Sequence, residues 1–529
     1  MSKMRRFVLS GAVIIAGAMT IPLLAEAQSG KTLRLIPEAD LRSLDPIWTT
    51  AYITRNYGYM VYDTLFAFDA GFKPQPQMVK SWTESDDHLR WTFTLRDGLK
   101  WHDGQPVRAA DCVASLARWM KRDPLGQALP DVVAEMAAVD DKTFSITLKT
   151  PFPLLLSALA KLSSNVPFMM PERVATTDAF TQITETIGSG PFKFVREEWE
   201  PGNKAVFVRN PDYVPRTEAP SWAAGGKIAK VDRVEWLYIP DPTTASNALQ
   251  AGEVDWWQQA PADLVPVLEK NKDIAVATVD PLGSFGIFRF NHLLPPFNDM
   301  RMRQAVQMVV DQSDYMTAVA GDPKNWRTCY SVFPCGTPMS NPTGSDALGG
   351  KRDFEKAKQL IKEAGYKGER IVVMAATDQP IVYAQGLVTA DVLKRLGLNV
   401  DLQAMDWGTL ITRRASREPL DKGGWNIFFT WTIAPDLLDP SLASALRGNG
   451  EKAWFGWPTD AKLESLRQDW IAAPDLAGQQ RIAAAVQDEA FHVVTHIVTG
   501  QFVIPTAYRK TISGVIISPV MFMWNVEKK

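Results

Sequence analysis

The sequence predicts an α/β protein with two or three domains, and three observations lead to this prediction. With 529 residues, the chain can bury a separate hydrophobic core in each of several domains. Helical and extended patterns alternate through residues 353–405, which is typical of parallel strands joined by helices. Residues 91–119 read as a strand, two turns and a helix, so a further α/β unit lies upstream.

The unit at residues 91–119 follows directly from its side chains. The predicted strand alternates apolar and polar positions, the period-two pattern of a half-buried strand, with Trp91, Phe93 and Leu95 on one face. Two Asp-Gly dipeptides then mark turns, because glycine accepts positive φ and aspartate bonds its own backbone. Pro106 precedes a helix for which we expect an apolar face of Val113, Leu116, Ala117 and Met120.

The other elements are predicted in chain order from the same patterns. Before this unit we expect a strand at Thr32–Ile36, a turn at residues 43–46 and a helix at residues 52–66. After it come a hairpin of residues 192–195 and 205–209, a strand at 234–239 and a helix at 245–251 ended by Gly252. Between these, Gly188 and Gly190 precede Pro191, which suits either a hinge-side chain crossing or a static loop.

The final part of the chain again alternates strands and helices. A strand at residues 286–291 is broken by two prolines, and a helix starts at Asn298. The alternating stretch then consists of helix 353–364, strand 370–376, helix 382–395 and strand 399–405. The remaining segments are 407–416, 426–431, 463–472, a long helix at 479–497 and a strand at 501–508 that returns to the first domain.

Composition indicates a soluble globular protein. Apolar residues make up 46% and charged residues 22% of the chain, which are ordinary values. The net charge of −2 and the five histidines do not indicate a nucleic-acid partner, which would require a basic surface. The excess of 18 tryptophans is explained by large cores, with some rings available to line a ligand cleft.

The N-terminus predicts export. Lys3, Arg5 and Arg6 precede an apolar run at residues 7–24, and Ala25-Glu26-Ala27 forms an A-x-A cleavage pattern. We therefore expect a signal peptide at residues 1–27 and a mature protein in the periplasm; the alternative is an uncleaved membrane anchor, because the run is just long enough to span. The Arg5-Arg6 pair leaves the choice between the Sec and twin-arginine routes open.

The cysteines agree with an oxidising compartment. Cys329 and Cys335 bound a short loop, and two such close cysteines in an exported protein are expected to form a disulfide. A single C-x5-C pair without a nearby histidine is a poor zinc site. Cys112, on the helix after Pro106, is expected to be a small buried apolar residue.

Motifs of catalysis are not found in the sequence. It has no G-x-S-x-G elbow, Walker A loop or H-E-x-x-H motif. His492 and His496 lie four residues apart on the predicted long helix, with Glu489 one turn earlier, but we expect an ordinary helix face there and no metal. Neither a cofactor nor catalytic residues are expected, and the rival class is a secreted hydrolase, which would need a nucleophile beside a base.

The residues themselves resemble a known family. Residues 91–119, WTFTLRDGLKWHDGQPVRAADCVASLARW, are similar to a signature of the extracytoplasmic solute-binding proteins of the peptide/nickel class, family 5, which serve ABC importers. That signature reads roughly W-x-F-x-L-R-x-G-x-K-W-x-D-G-x-P-V-x-A-x-D-V, and this chain departs from it at Cys112. Ser-Leu-Asp-Pro at 43–46, Tyr-Asp-Thr-Leu-Phe at 62–66, Ile-Gly-Ser-Gly-Pro-Phe at 187–192 and the run from Asn291 to Ala305 also resemble the family.

The resemblance implies an architecture. It implies a class II fold of two lobes around a cleft, with an additional inserted domain. On this basis we expect lobe I from residues 28–68, 186–280 and 500–529, an inserted domain II at 69–185 and lobe III at 281–499. The protein should act as a monomer that captures a small organic solute and delivers it to ABC permease subunits.

The resemblance also suggests ligand-binding residues. Residues 428–441, FFTWTIAPDLLDPS, are similar to the family segment W-x-x-D-x-x-D-P, whose first aspartate pairs with the ammonium of bound peptides; Asp436 and Trp431 are the matching positions, with a longer Trp–Asp spacing. Dipeptide binders carry an arginine after the preceding strand to clamp the peptide carboxylate, but here the strand ends in Ala376-Thr377-Asp378. Arg413 or Arg414 could substitute for it, although a place on the surface is the favoured interpretation for both.

The expected ligand-binding residues are therefore Asp436, Trp431, Trp407, Arg413, Asp378 and Tyr52. Of these, Trp407 matches a cleft tryptophan of the family, and Tyr52 begins a helix in a stretch that joins the cleft wall. A cationic or zwitterionic peptide or amino-acid derivative, seated on aromatic rings with Asp436 as counter-charge, is the expected solute. Metal chelates, opines and sugars are alternatives within the same class.

Overall fold

The computed structural model describes residues 31–280, 282–473 and 475–529. The predicted signal peptide, residues 1–27, lies outside the described residues. Two mixed sheets, of seven and six strands, form the centres of two lobes. A four-stranded antiparallel sheet lies in the chain segment that leaves and re-enters the first lobe. The predicted α/β fold with two lobes and an inserted unit is confirmed.

The seven-stranded sheet collects strands from distant parts of the chain. Its strand Thr32–Ile36 buries Leu33 and Leu35 while Arg34 is exposed, as side-chain alternation requires. This strand pairs in parallel with both neighbours, and the outer pairs are antiparallel. Across the sheet the order is Ile274–Thr278, Pro505–Arg509, Trp256–Trp257, Thr32–Ile36, Arg233–Leu237, Lys204–Arg209 and Phe192–Phe194.

The six-stranded sheet contains the predicted parallel pair. Strand Ile371–Ala376 is buried along its whole length and pairs in parallel with Val400–Met405, which it reaches through the helix Pro380–Arg395. A strand covered on both faces reads as a continuous apolar run, and this one does. Across the sheet the order is Trp326–Arg327, Ile497–Phe502, Ser284–Phe290, Ile427–Ile433, Ile371–Ala376 and Val400–Met405.

The inserted sheet holds the strand predicted from residues 91–119. Its order is Val79–Glu84, Arg90–Leu95, Thr143–Leu148 and Val133–Ala138, and Trp91, Phe93 and Leu95 are buried as predicted. The following helix, Ala109–Trp119, is rotated from the predicted orientation. Its fully buried apolar face contains Ala109, Cys112, Leu116 and Trp119, because burying the large indole of Trp119 leaves Val113, Ala117 and Met120 only half-buried.

The remaining elements are short strands and helices around these sheets. Two small antiparallel pairs are formed by Phe66–Phe68 with Pro74–Pro76 and by Ile512–Ser513 with Glu527–Lys528. The α-helices are Tyr52–Val61, Ala109–Trp119, Leu129–Val132, Leu155–Leu159, Glu172–Ala175, Pro242–Ala251, Val265–Glu269, Met300–Gln307, Gln312–Ala320, Asp346–Gly349, Phe354–Glu363, Pro380–Arg395, Trp407–Arg413, Ala461–Ala472 and Leu476–Val493. Within the described residues, no helix combines the length and the apolar character that a membrane crossing requires.

Three predicted elements have different bounds in the structure. The helix predicted at residues 52–66 ends at Val61, and Phe66–Phe68 is a strand. The helix predicted at 479–497 ends at Val493, where Val494 takes a left-handed conformation with φ 51°. The strand predicted at 501–508 is two strands, Ile497–Phe502 in the six-stranded sheet and Pro505–Arg509 in the seven-stranded one. The chain thus crosses between the lobes after Phe502.

The metal site considered at His492 and His496 would need both histidines on one helix, but the helix ends at Val493. His496 lies beyond the helix, is 2% exposed and shares a hydrogen bond of 3.0 Å with the Thr495 hydroxyl. Burial lowers the pKa of His496 to about 3, so the ring is neutral. Because His492 and His496 do not share a helix face, their four-residue spacing carries no ligand geometry. Over the described parts of the chain, no group of three His, Cys, Asp or Glu residues is placed to hold a metal.

Gly188 and Gly190 allow a close backbone approach. The Gly190 N–H donates 2.8 Å to the carbonyl of Val61 at the end of the first helix. A Cβ atom on Gly188 would lie 1.9 Å from the same carbonyl oxygen, and one on Gly190 would lie 2.7 Å from its carbon. The glycines are therefore required by packing at this crossing of the chain.

The predicted disulfide is confirmed. Cys329 and Cys335 are joined, with an S–S distance of 2.02 Å and Cα atoms 5.9 Å apart. Cys112 is a buried free cysteine, and burial raises the pKa of its thiol, as expected for a small core residue. The sequence-based domain boundaries stay a prediction, although the strand ending at Phe502 moves the last lobe crossing slightly beyond residue 500.

Candidate functional site

Asp436 lies where the two lobes meet. It ends a short 3₁₀ turn, Ala434–Asp436, directly after the strand Ile427–Ile433, and is 6% exposed. Its Oδ2 atom accepts hydrogen bonds from the hydroxyls of Tyr52 at 2.5 Å, Ser163 at 3.1 Å and Thr432 at 3.4 Å. Tyr52 begins the helix Tyr52–Val61, which packs on the seven-stranded sheet. The carboxylate is thus held by both lobes.

The donors to Asp436 are neutral hydroxyls. The nearby cations have other partners: Lys161 pairs with the buried Asp123, and the Arg55 guanidinium donates to Ser163 and Asn56. Burial raises the pKa of Asp436, and Lys161, Tyr52 and Arg55 offset only part of that rise. A buried carboxylate with these partners lacks a directly bonded cation and is therefore costly to ionise.

Aromatic rings surround this carboxylate. Trp431 packs edge-on against Tyr52, with ring centroids 5.1 Å apart and an interplanar angle of 64°. The Arg55 guanidinium lies over the Tyr52 ring, with its central carbon 4.1 Å from the ring centroid. Trp407 is 9% exposed and lines the same cavity. Such rings provide apolar contact and a negative π face for a bound cation.

Arg414 lines the cavity, whereas Arg413 does not. Arg413 donates to the carbonyls of Gly423 at 2.8 Å and Gly424 at 2.9 Å and to the Gln403 side chain at 2.6 Å, so it braces the loop after its helix. Arg414 is 1% exposed and donates to the Thr50 hydroxyl at 3.3 Å. The expected ligand residue, Arg413, is therefore not among the residues that line the cavity, whereas its neighbour Arg414 is.

Glu38 is a cavity residue that the sequence did not indicate. It follows the strand Thr32–Ile36 and accepts hydrogen bonds from Gln258 at 3.3 Å and Gln259 at 3.2 Å. Burial raises its pKa to about 7, against a smaller opposing effect of Arg55. Its carbonyl accepts a bond of 2.5 Å from Gln379 of the other lobe. A single glutamate after a strand shows no distinguishing pattern in sequence.

Asp378 lies beside the main cavity. Its carboxylate accepts bonds from the Tyr238 hydroxyl at 2.6 Å and from the Trp407 backbone N–H at 2.7 Å, and burial raises its pKa. It lines a neighbouring cavity that also contains Glu38 and Gln379. Asp378 therefore joins the lobes and orients the Trp407 helix beside the main cavity.

The cavity between the lobes contains four of the six expected residues. Tyr52, Trp407, Trp431 and Asp436 line it, together with Glu38, Thr50, Gln379, Arg414, Ser444 and Trp454. Its volume is about 70 Å³, and since one water needs about 10–15 Å³ by this measure, it has room for a small organic group. A second cavity of about 230 Å³ shares Thr50, Ser444 and Trp454 with it as lining residues.

This arrangement defines a class of protein. Two α/β lobes that meet over an aromatic-lined cavity, with a buried acid and a buried base in its wall, are typical of proteins that enclose a small solute. The profile described as bacterial extracellular solute-binding proteins, family 5, middle region, matches residues 73–454. The chain belongs to this family of transport binding proteins, which confirms the predicted family, fold and solute-binding role.

Individual relatives agree with this assignment. The chain is 40% identical over 534 residues, 99% of both chains, to the probable peptide ABC transporter periplasmic-binding protein y4tO of Sinorhizobium fredii. Its fold is similar to the binding protein AgaA of A. tumefaciens R10 in complex with agropinic acid, with a TM-score of 0.78 and 22% identity over 94% of this chain and 99% of that one.

A dipeptide-binding protein from Pseudoalteromonas sp. SM9913, in complex with Met-Leu, has a similar fold as well. The TM-score is 0.77, with 19% identity over 94% of this chain and 100% of that one. The full-length curated relative is a periplasmic binding protein, which agrees with the predicted location. The family supplies the substrate-binding component of transporters, which argues against the hydrolase alternative.

Proposed function

We propose that this protein captures a peptide-like or amino-acid-derived solute with a positively charged amine and delivers it, as a monomer, to ABC permease subunits. The observation that carries the proposal is the Asp436 carboxylate, which lies in the interlobe cavity and receives hydrogen bonds from three hydroxyls. A buried carboxylate gains most from a directly bonded cation. The ammonium group of a solute would supply it.

The rings support the same chemistry. Trp431, Tyr52 and Trp407 line the cavity with Asp436, so a bound ammonium would meet π faces as well as the carboxylate. The apolar part of the solute would replace water against these rings. The names of relatives support a peptide or an opine: y4tO is a probable peptide-binding protein, and AgaA is in complex with agropinic acid.

Solute binding would favour the closed arrangement of the lobes. Tyr52 and Glu38 belong to the lobe of the seven-stranded sheet, whereas Asp436 and Trp431 follow or lie in a strand of the six-stranded sheet. A ligand that touches both sides stabilises the state in which they are together. Closure around the solute is the signal that a permease can recognise.

Delivery requires export. The basic residues at 3–6, the apolar run at 7–24 and the A-x-A pattern at 25–27 support cleavage after Ala27. We expect N-terminal sequencing of the periplasmic protein to begin near Gln28. Protein that keeps Met1 in the membrane fraction would contradict cleavage and favour the anchor alternative.

Asp436→Asn tests the ligand site. The amide keeps the shape but removes the negative charge, so affinity for an amine-bearing solute should fall by about 2–5 kcal/mol. The free energy of unfolding of the ligand-free protein should not fall, because the carboxylate is costly to ionise in this position. A thermal-shift screen of peptides, amino acids, opines and chelates would identify the solute, and calorimetric titration would measure the loss.

Asp439→Asn is the matched control. Asp439 lies three residues later and accepts bonds from the backbone N–H of Ser441 at 2.8 Å and of Leu442 at 3.2 Å, which is a structural role. Its amide variant keeps an acceptor oxygen for these bonds, so it should change stability little and retain its affinity. If Asp436→Asn binds within about threefold of the wild type, a difference well under about 1 kcal/mol, the assignment of Asp436 is wrong.

A further inference from the structure

Another interlobe cavity shares part of its wall with the cavity that contains Asp436. It has a volume of about 100 Å³ and lies where the chain crosses between the lobes, since residues 502–505 belong to its lining. We call it the hinge-side cavity. The lining residues that it has in common with the Asp436 cavity are Glu38 and Gln379.

The two shared residues are bonded to each other. The side-chain amide of Gln379 donates a hydrogen bond of 2.5 Å to the backbone carbonyl of Glu38. Glu38 follows the strand Thr32–Ile36 of one lobe. Gln379 follows the strand Ile371–Ala376 of the other, so the carboxyl ends of two parallel strands meet at this bond, a common position for ligand sites. We call the contact the Gln379–Glu38 partition, because it lies between the two cavities.

Each side of the partition is positioned by its own lobe. The backbone N–H of Glu38 donates to the Gln258 side chain at 2.9 Å, and the Glu38 carboxylate accepts a bond of 3.2 Å from Gln259. Gln379 is 5% exposed and directly precedes the helix Pro380–Arg395, but its side chain does not cap that helix. The Gln379 amide is therefore used for the contact with the other lobe.

The hinge-side cavity is apolar. Tyr238 and Asp378 in its wall bond to each other at 2.6 Å, and the second Asp378 oxygen accepts a bond of 2.7 Å from the Trp407 backbone N–H. Apart from these residues and the glutamate and glutamines named above, the lining is aliphatic or aromatic and includes Ile36, Ile239, Val319, Ile381, Phe502 and Ile504. Such a surface favours an apolar group over a polar one.

We propose that Gln379 is a specificity-determining residue: the Gln379–Glu38 partition keeps the solute out of the hinge-side cavity, so the protein selects short amine-bearing solutes over those with an apolar extension. The inference rests on the proposed function, since it concerns another wall of the cavity in which Asp436 binds the amine. Specificity arises from blocking the wrong ligand as well as from contacts to the right one. With about 70 Å³ on one side and about 100 Å³ on the other, loss of the partition more than doubles the continuous space.

Gln379→Ala tests the partition by joining the two cavities. Ala-Ala, Ala-Leu and Ala-Ala-Leu are titrated by calorimetry, because all three carry the free amine that Asp436 is proposed to bind. We expect the leucine peptides to bind the wild type no more tightly than Ala-Ala does. In Gln379→Ala, at least one leucine peptide should bind about tenfold or more tightly than Ala-Ala, because the leucine side chain becomes buried in the hinge-side cavity.

Two further variants separate the loss of bulk from the loss of the hydrogen bond. Gln379→Met removes the bond to Glu38 but keeps a side chain of similar length, so it should keep the wild-type order of affinities. Ala262 lines the hinge-side cavity, and Ala262→Leu added to Gln379→Ala should abolish the preference for leucine peptides by refilling the space. Solute-free Gln379→Ala should melt close to the wild type, because the Gln379 side chain donates across the lobes and does not cap its own helix.

The outcomes distinguish the two proposals. A Gln379→Ala variant with the wild-type order of affinities contradicts the partition, whereas the Asp436→Asn result decides the amine site separately. An equal gain for the leucine peptides in Gln379→Met would assign the effect to the lost hydrogen bond and would also contradict the partition. Leucine peptides that already bind the wild type more tightly than Ala-Ala would overturn the proposed selection. If no peptide binds the wild type or any variant, the amine-based function fails together with the inference.

Discussion

The hydroxyl of Tyr52 donates a hydrogen bond of 2.5 Å to the carboxylate of Asp436 and accepts one of 2.9 Å from the backbone N–H of Ile433. Tyr52 starts a helix on the seven-stranded sheet, and Ile433 ends a strand of the six-stranded sheet. One phenol oxygen therefore ties the two lobes together at the proposed ligand carboxylate. The Tyr52 hydroxyl therefore belongs both to the proposed binding site and to the contact that holds the two lobes together.

Tyr52→Phe should weaken solute binding. The variant keeps the ring on Trp431 but removes the hydroxyl, so the closed state loses a bond to a charged group, worth about 1.5–3 kcal/mol. We expect affinity to fall by about tenfold to a hundredfold, measured by calorimetry. Small-angle scattering of the ligand-free variant should show a larger radius of gyration, since the lobes separate more readily.

Tyr59→Phe is the control for this change. Tyr59 lies on the same helix, and its hydroxyl donates 2.7 Å to the Leu162 carbonyl, away from the ligand cavity. Its loss should lower the melting temperature without changing affinity. Equal affinity losses in the two variants would mean that the effect comes from the helix and not from the bond to Asp436.

Much of the fold was readable in sequence because it depends on local periodicity. The alternating stretch gave Phe354–Glu363, Ile371–Ala376, Pro380–Arg395 and Val400–Met405 with ends within two residues. The two strands at Ile497–Phe502 and Pro505–Arg509 were not separated, because the apolar run continues between them. Which sheet each strand joins is set by partners more than 200 residues away, such as Leu33 beside Val234 and Leu35 beside Trp256.

The site was predictable only where a family pattern existed. Asp436 and Trp431 lie in a segment with a recognisable order, and the structure places both in the cavity. Glu38 and Gln379 carry no such pattern, and they meet only because the lobes do, through the bond of 2.5 Å between Gln379 and the Glu38 carbonyl. The choice between Arg413 and Arg414 depends on helix rotation, which adjacent residues in a sequence do not reveal.

Glu38 should make stability and binding depend on pH. Its pKa is raised from 4.5 to about 7 by burial, with Arg55 opposing. A raised carboxyl pKa in the folded state contributes stability that is present below the unfolded pKa and is lost as pH rises through about 7. The melting temperature of the ligand-free wild type should therefore fall relative to that of Glu38→Gln between about pH 5 and about pH 8.

Binding of an amine should release protons from the same group. A bound ammonium favours the ionised carboxylate and lowers the pKa of Glu38. Calorimetry near pH 6.5, about the midpoint of the relevant range, in buffers of different ionisation enthalpy should detect proton release by the wild type and less by Glu38→Gln. Parallel melting profiles of the two proteins would contradict the raised pKa, and equal proton release would exclude Glu38 as its source.

The ion pair of Asp45 and Arg118 should contribute strongly to stability, because it connects the lobe of the seven-stranded sheet to the inserted unit. Arg118, on the helix Ala109–Trp119, donates to the Asp45 carboxylate at 3.0 and 2.7 Å, and both residues are buried. The same carboxylate accepts bonds of 3.0, 3.1 and 3.0 Å from the backbone N–H groups of Ile47, Trp48 and Ile183. Asp45 thus organises the Ser-Leu-Asp-Pro stretch, a structural role for a motif first noted by resemblance.

Arg118→Met should destabilise the protein by about 3–5 kcal/mol, because it leaves the Asp45 charge buried without a cation. The free energy of unfolding is measured by chemical denaturation of the exported protein. Arg301→Met is the comparison: Arg301 pairs with Asp299 at 2.6 Å with 47% of its side chain exposed, so its loss should cost less than about 1 kcal/mol. Adding Asp45→Asn to Arg118→Met should restore part of the stability, since the uncompensated charge disappears. A double variant that is less stable than Arg118→Met would show that the hydrogen bonds of Asp45 matter more than its charge.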